Sequence, residues 1–317
     1  MREGTVRTRS ATALALLAAC AAVLGGGGAS GATPPAGAGA PQAVQLGQQE
    51  QQDQADCDVY KSVPPSGEDG PAVRGIKGKH SLVIGVDQNS YRWGARNPNT
   101  GQIEGFDIDL ARAIGAAIMG DPEKVVLKPV ATADRIDAVQ KGRVDLIVRT
   151  MTISCKRMED VAFSKPYFNI TQRVLVPKSS PAKSIDEAIN GKTVCAAKGS
   201  TAFTYLDGKK TAKQVVQVDN HLDCLVLMQL GRIDATMTDD GLAAGHAAQD
   251  QTVRVVDGEV QPEVIGVAMS KSSPDLTARV NQVLADYYAS GAWRSSYDRW
   301  LKPYMLNEAD HYWPAQH

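Results

Sequence analysis

KGRVDLIV at 141–148 and LGRIDATM at 230–237 are one phrase written twice. Each sets a glycine, an arginine, an apolar residue and an aspartate ahead of a short apolar run. That is the signature of a turn feeding a buried strand. The residues upstream match as well. Thr132 to Gln140, with Thr132 as its cap, and His221 to Leu230 have helical character. Val125 to Val130 and Val215 to Val218 are short apolar strands. Earlier still, Phe106 to Met119 (FDIDLARAIGAAIM) and the segment from Thr201 to Leu206 read as helices. They follow strands at Ser81 to Val86 and Thr193 to Ala197. The order strand–helix–strand–helix–strand therefore occurs twice. Short apolar strands alternating with helices predict parallel sheets covered on both faces. Two such units predict two lobes, with a ligand cleft between them at the carboxyl ends of the strands. Folded structure is expected to begin near His80. The chain returns at Val264 to Met269 and ends in helices at Pro274 to Ser290 and Trp293 to Trp300.

Composition narrows the function. The chain has 317 residues, 43% hydrophobic and 22% charged, which is ordinary for a globular protein. Lys and Arg total 34 against 35 Asp and Glu, a formal net charge of −1. A near-neutral chain without a basic run gives no ground for nucleic-acid binding. The histidines (His80, His221, His246, His311, His317) are scattered, with no pair at metal-ligand spacing, so neither a metal nor another cofactor is expected.

The N-terminus reads as an address. Arg2, Arg7 and Arg9 precede the apolar run Ala11 to Ala19, far short of the ~20 residues of a membrane span. Leu17-Ala18-Ala19-Cys20 resembles a lipobox, in which Cys20 would be lipidated and become the mature N-terminus; an ordinary signal peptide cut between Ala29 and Ala40 is the alternative. Removing residues 1–19 leaves a charge of about −3, which gives no electrostatic hold on anionic lipid. Gly25 to Ala40 is rich in Gly, Ala and Pro, and Gln42 to Gln54 is rich in Gln; neither can bury a core. The expected division is a leader over 1–19, a tether over 20–56, a first lobe over 57–172, a second over 173–264, and a return with C-terminal helices over 265–317.

After Cys20, Cys57, Cys155, Cys195 and Cys224 remain, an even number in an exported chain. Four cysteines allow three pairings. Cys195 ends a strand and Cys224 opens a nearby helix, which favours Cys195–Cys224 and leaves Cys57–Cys155. Free buried thiols are the alternative.

Five short motifs occur in order: Gly105 to Leu110 (GFDIDL), Thr150 to Ser154 (TMTIS) with Arg157, Phe163 to Tyr167 (FSKPY), Lys198 to Thr201 (KGST), and Ile233 to Asp240 (IDATMTDD). Together they resemble the family 3 solute-binding proteins of ABC importers for polar amino acids, over about residues 80–305. The likeness is strongest to actinobacterial lipoproteins that bind glutamate, aspartate or glutamine. The resemblance implies a periplasmic-binding-protein-like fold of type II. It further implies an exported, lipid-anchored monomer on the outer face of the cytoplasmic membrane. This monomer would capture a small polar or acidic amino acid for membrane permease subunits, without catalysis. An extracellular sensor signalling through a membrane partner to a kinase is a second reading; a dehydratase on the same fold is a third.

The resemblance also assigns roles. Arg157 would take the ligand carboxylate, because a guanidinium grips a carboxylate with two parallel bonds. Ser200 and Thr201, at a helix start, would add donors, or serve only as caps. Asp239 would hold the ammonium, with the Thr150 carbonyl and the Thr152 hydroxyl beside it. Arg149 and Lys198 would add positive charge and favour an acidic side chain. The alternative is that Arg149 pairs with Asp87 or Asp145 and Lys198 faces solvent. Tyr91 or Trp93 would cover the ligand, although Ser90-Tyr91-Arg92-Trp93 departs from the family pattern there.

Overall fold

The computed structural model describes residues 57–121 and 124–314. The expected leader, the lipidated Cys20 and the tether fall outside the described residues.

Structure begins before His80, with a helix at Pro71–Gly78. Pro71 suits its first turn, where no N–H is needed. Val73 and Ile76 are its buried residues, and Asp275 accepts the Val73 N–H at 3.1 Å. Two buried residues are too few to show a helical period, so only tertiary packing reveals this helix.

The strands, in chain order, are β1 (Leu82–Val86), β2 (Asn89–Ser90), β3 (Gly94–Arg96), β4 (Ile103–Glu104), β5 (Val125–Pro129), β6 (Leu146–Ile147), β7 (Ala162–Phe163), β8 (Phe168–Ile170), β9 (Gln172–Pro177), β10 (Thr193–Ala197), β11 (Gln214–Val218), β12 (Ala235–Asp239), β13 (Val253–Val255), β14 (Glu263–Ile265) and β15 (Ala268–Met269). One five-stranded sheet has the order β5-β1-β6-β15-β7, and a second the order β11-β10-β12-β9-β13. The two orders correspond position by position. In each, three strands pair in parallel, with Leu82 opposite Val125 and Ile84 opposite Leu146 in the first, and Thr193 opposite Gln214 and Val194 opposite Ala235 in the second. The sheets are not wholly parallel as expected. The fourth strand of each, β15 and β9, runs against its neighbours. These are the strands by which the chain enters a sheet from the other half, without a crossover helix to set a parallel course.

The repeated phrase has a repeated job. Asp145 accepts the Val83 N–H and Asp234 accepts the Thr193 N–H, each at 2.8 Å. Gly142 and Gly231 both have φ of 64°, a left-handed turn that glycine enters without strain. In each half the aspartate clamps the start of the neighbouring parallel strand, β1 or β10. The expected helix over 132–140 splits into a 3-10 turn at Thr132–Asp134 and a helix at Arg135–Gln140. Thr132 does not cap it, because its hydroxyl is taken by Arg149 at 2.9 Å.

Each sheet has its own core. Leu82, Ile84, Phe106, Phe168 and Trp293 are buried around the first; Val174, Val194, Ala196 and Met237 around the second. The molecule is a two-lobed α/β fold. Two segments join the lobes side by side, β8 and β14, with Phe168 opposite Ile265 and Ile170 opposite Glu263. The disulfides are Cys57–Cys155 and Cys195–Cys224.

Candidate functional site

The chain beyond β6 runs through Arg149 to Ser154, and Thr150 has φ of 37°, costly for a β-branched residue. Asp107, from the Phe106–Met119 helix, holds it there. One carboxylate oxygen accepts the Thr150 N–H and the other the Tyr167 hydroxyl, each at 2.8 Å. Burial pushes the Asp107 carboxyl up to about 7.

Arg157 lies on the Cys155–Asp160 helix, capped by the Ser154 hydroxyl and anchored by the Cys57–Cys155 disulfide. Its guanidinium donates to the Thr152 carbonyl at 2.7 Å and to the Gly199 carbonyl of the second lobe at 3.0 Å. Arg135 converges on the same carbonyl at 3.4 Å and donates to the Thr132 carbonyl at 2.9 Å. Carbonyls satisfy its N–H groups without neutralising its charge. Burial pushes its pKa well down, and the nearby charges of Arg157 and Arg149 push the same way. Among the described residues, the ion pairs of the first lobe involve neither Arg135 nor Arg157. Gly199 has φ of 74°, and a Cβ on it would lie 3.1 Å from the Ala133 Cα, so the two lobes meet here backbone to backbone.

Opposite stand two carboxylates. Asp239, at the end of β12, is 8% exposed, and Gln172 donates to it at 2.6 Å. Glu263 on β14 accepts from the hydroxyls of Thr152 at 3.1 Å and Thr201 at 3.0 Å, one from each lobe, and from Gln172 at 3.3 Å. Burial, then repulsion by Glu263, raises Asp239 to about 7. Burial raises Glu263 as well.

The structure thus brings Arg157, Thr150, Thr152, Thr201 and Asp239 together. Ser200 is near but occupied: it caps the Thr201–Lys209 helix through the Phe203 N–H at 3.1 Å and donates to the Ala197 carbonyl at 2.7 Å. Arg149 requires a correction. It is completely buried, ion-paired with Asp87 at 2.9 Å and bonded to Thr132, so it does not offer a free charge to a ligand's side chain. A buried guanidinium needs a carboxylate of its own, and Asp87 supplies it. Burial alone would raise Asp87, but Arg149 and the Ser90 hydroxyl hold it below the usual carboxylate range. Lys198 is exposed, as in the solvent-facing alternative. Trp93 is 1% exposed and wedged between Phe106 and Phe168, with a Cβ on Gly241 only 2.4 Å from its ring. It is a core residue. Tyr91 packs its ring against Tyr304 and its backbone against Gly245.

Arg135, Gln172 and Glu263 escaped the sequence reading. Arg135 sits in a stretch read only as a helix, where an arginine suggests solvent. Gln172 and Glu263 stand at strand starts outside every motif.

Comparison with known proteins shows the family and the fold. Residues 82–303 match the family described as Bacterial extracellular solute-binding proteins, family 3. The chain is 34% identical over 227 residues to the ABC transporter glutamine-binding protein GlnH of Bacillus subtilis, covering 72% of this chain and 83% of that one. It is 28% identical over 225 residues to the glutamate-binding protein GluB of Corynebacterium efficiens, covering 68% and 76%. Among solved structures, the solute receptor for L-cysteine of Neisseria gonorrhoeae superposes with a TM-score of 0.73 at 26% identity, covering 77% of this chain and 99% of that one.

Proposed function

The chain belongs to the bacterial extracellular solute-binding proteins of family 3, and from that premise we propose that it captures an acidic amino acid, glutamate or aspartate, for an ABC importer. One observation carries the acidic preference: Arg135 and Arg157 converge on the Gly199 carbonyl, and among the described residues no ion pair involves either. Arg157 takes the α-carboxylate and Arg135 the side-chain carboxylate. Asp239, facing them, takes the ammonium. Thr150, Thr152, Ser200 and Thr201 frame these contacts, and Tyr91 stands at the rim. Ligand contacts to both lobes favour the closed form, so closure follows from differential affinity. The relatives named for glutamine and for glutamate are consistent with either side chain, and Arg135 tips the reading toward the acid. The reading assigns no chemical step to the site.

Calorimetric titration with glutamate, aspartate and glutamine tests this. Arg157→Ala removes binding of all three. Arg135→Ala weakens the acids by about 30-fold or more, the cost of an unpaired buried carboxylate, and glutamine much less. Equal losses for acid and amide would remove Arg135 from the side-chain subsite. We further propose anchoring through a lipid on Cys20. Mass spectrometry of the membrane fraction, with Cys20→Ser as control, checks it. Labelled uptake in a deletion strain separates delivery to a permease from signalling: unchanged uptake excludes delivery.

A further inference from the structure

We propose that Glu263 and Asp239 hold the ligand's ammonium jointly, so that this subsite is a carboxylate pair. The inference rests on the amino-acid-binding reading above. Glu263 comes from β14, one of the two segments joining the lobes, and Asp239 from the end of β12. Both carboxylates accept from the same Gln172 amide nitrogen, at 3.3 and 2.6 Å, which holds one oxygen of each within reach of a single donor group. Everything that donates to them is neutral: the Thr152 and Thr201 hydroxyls and the Gln172 amide. Among the described residues, the hydrogen bonds reach Glu263 through Oε2 and Asp239 through Oδ1, and none reaches Glu263 Oε1 or Asp239 Oδ2. The charged groups around the pair are Arg157, Arg135 and Asp240. Arg157 is the cation that attracts both carboxylates, yet its bonds go to the Thr152 and Gly199 carbonyls, and it is at ion-pair distance from neither.

Two carboxylates in a buried spot repel one another until a cation lies between them. A primary ammonium fits that need: it is compact, positive, and has three N–H groups that can divide between two acceptors. A guanidinium is too broad and a metal ion would demand more oxygen ligands, while no metal-binding cluster occurs among the described residues. With an ammonium between the pair, Arg157 is released from its attraction to them and is free for the incoming α-carboxylate. Glu263 also spans the lobes through Thr152 and Thr201, so it joins the ammonium to both.

Glu263→Gln tests the pair, because an amide keeps the shape and still accepts the two hydroxyl bonds while losing the charge. Titration of the purified protein with glutamate, aspartate and glutamine is compared with the matching 2-hydroxy acids, which lack the ammonium. Circular dichroism confirms that the variant is folded. Glu263→Gln is expected to weaken the amino acids by about ten-fold or more, the worth of one charge-assisted bond. It should also shrink the preference for amino acid over hydroxy acid by the same factor. Unchanged binding overturns the pair. So does tighter binding, which would make Glu263 an internal competitor for the ligand's carboxylate. Equal losses for amino and hydroxy acids overturn it too. If the unaltered protein binds none of the three amino acids, the amino-acid reading itself is wrong and the pair falls with it. If it binds one and Glu263→Gln is indifferent, only the pair is wrong.

Discussion

Asp87 and Arg149 show how far a single residue's partner decides its role. Both are buried, and each is tolerable there because of the other. Asp87→Asn leaves the guanidinium charged, buried and unmatched, and is expected to cost about 3–5 kcal/mol of stability, read from urea unfolding. A loss below about 1 kcal/mol would mean that solvent reaches Arg149. At this scale the sequence was legible where chemistry is local. Arg157 and Asp239 stand in the motifs that carry the family resemblance, and that resemblance singled them out. Arg135 was not legible, because its neighbours in sequence, Asp134 and Ile136, say nothing of the Gly199 carbonyl that meets it from the other lobe.

At the scale of the element, alternation of apolar strands and helices was enough to place most strands of both sheets. The inverted strands β9 and β15 were not foreseen, since strand direction depends on the route of the chain and leaves no trace in periodicity. The pairing Cys195–Cys224 follows from the arrangement of elements, because it ties β10 to the His221–Gln229 helix packed upon it. It closes a loop with a sequence separation of 29. Replacing both cysteines by alanine is expected to cost about 2–4 kcal/mol. The thermal midpoint of this variant should no longer respond to Cys195–Cys224 reduction, leaving only the response of Cys57–Cys155. A double variant as stable as the parent would show that the loop is already ordered without the link.

For the whole molecule, acidity opposes closure. His221 and His246, on the second lobe, are buried beside Arg149 and Asp87 of the first. Burial, with the charge of Arg149, lowers His221 to about 3, and burial lowers His246 to about 4. Asp87 pulls the other way and Arg135 adds to the repulsion on His221, but the net direction is down. A histidine whose pKa is depressed in the closed, folded form contributes fully above its free value of about 6.5 and loses that contribution as pH falls toward the closed-form value. Ligand affinity is therefore expected to decline from about pH 6.5 downward, and replacing both histidines with asparagine should flatten the decline. A profile unchanged by the double replacement would assign the effect to Asp239, whose carboxyl titrates near 7.

The pair of strands β8 and β14 has a mechanical meaning. Two segments lying side by side between rigid halves bend about one axis far more easily than they slide or twist. Glu263 stands on one of these two segments, opposite Ile170. If Glu263 holds the ammonium as proposed, the ligand is attached at the joint between the halves. What is left to find is a single angle, and the search for the bound state becomes the turning of one door on its pin.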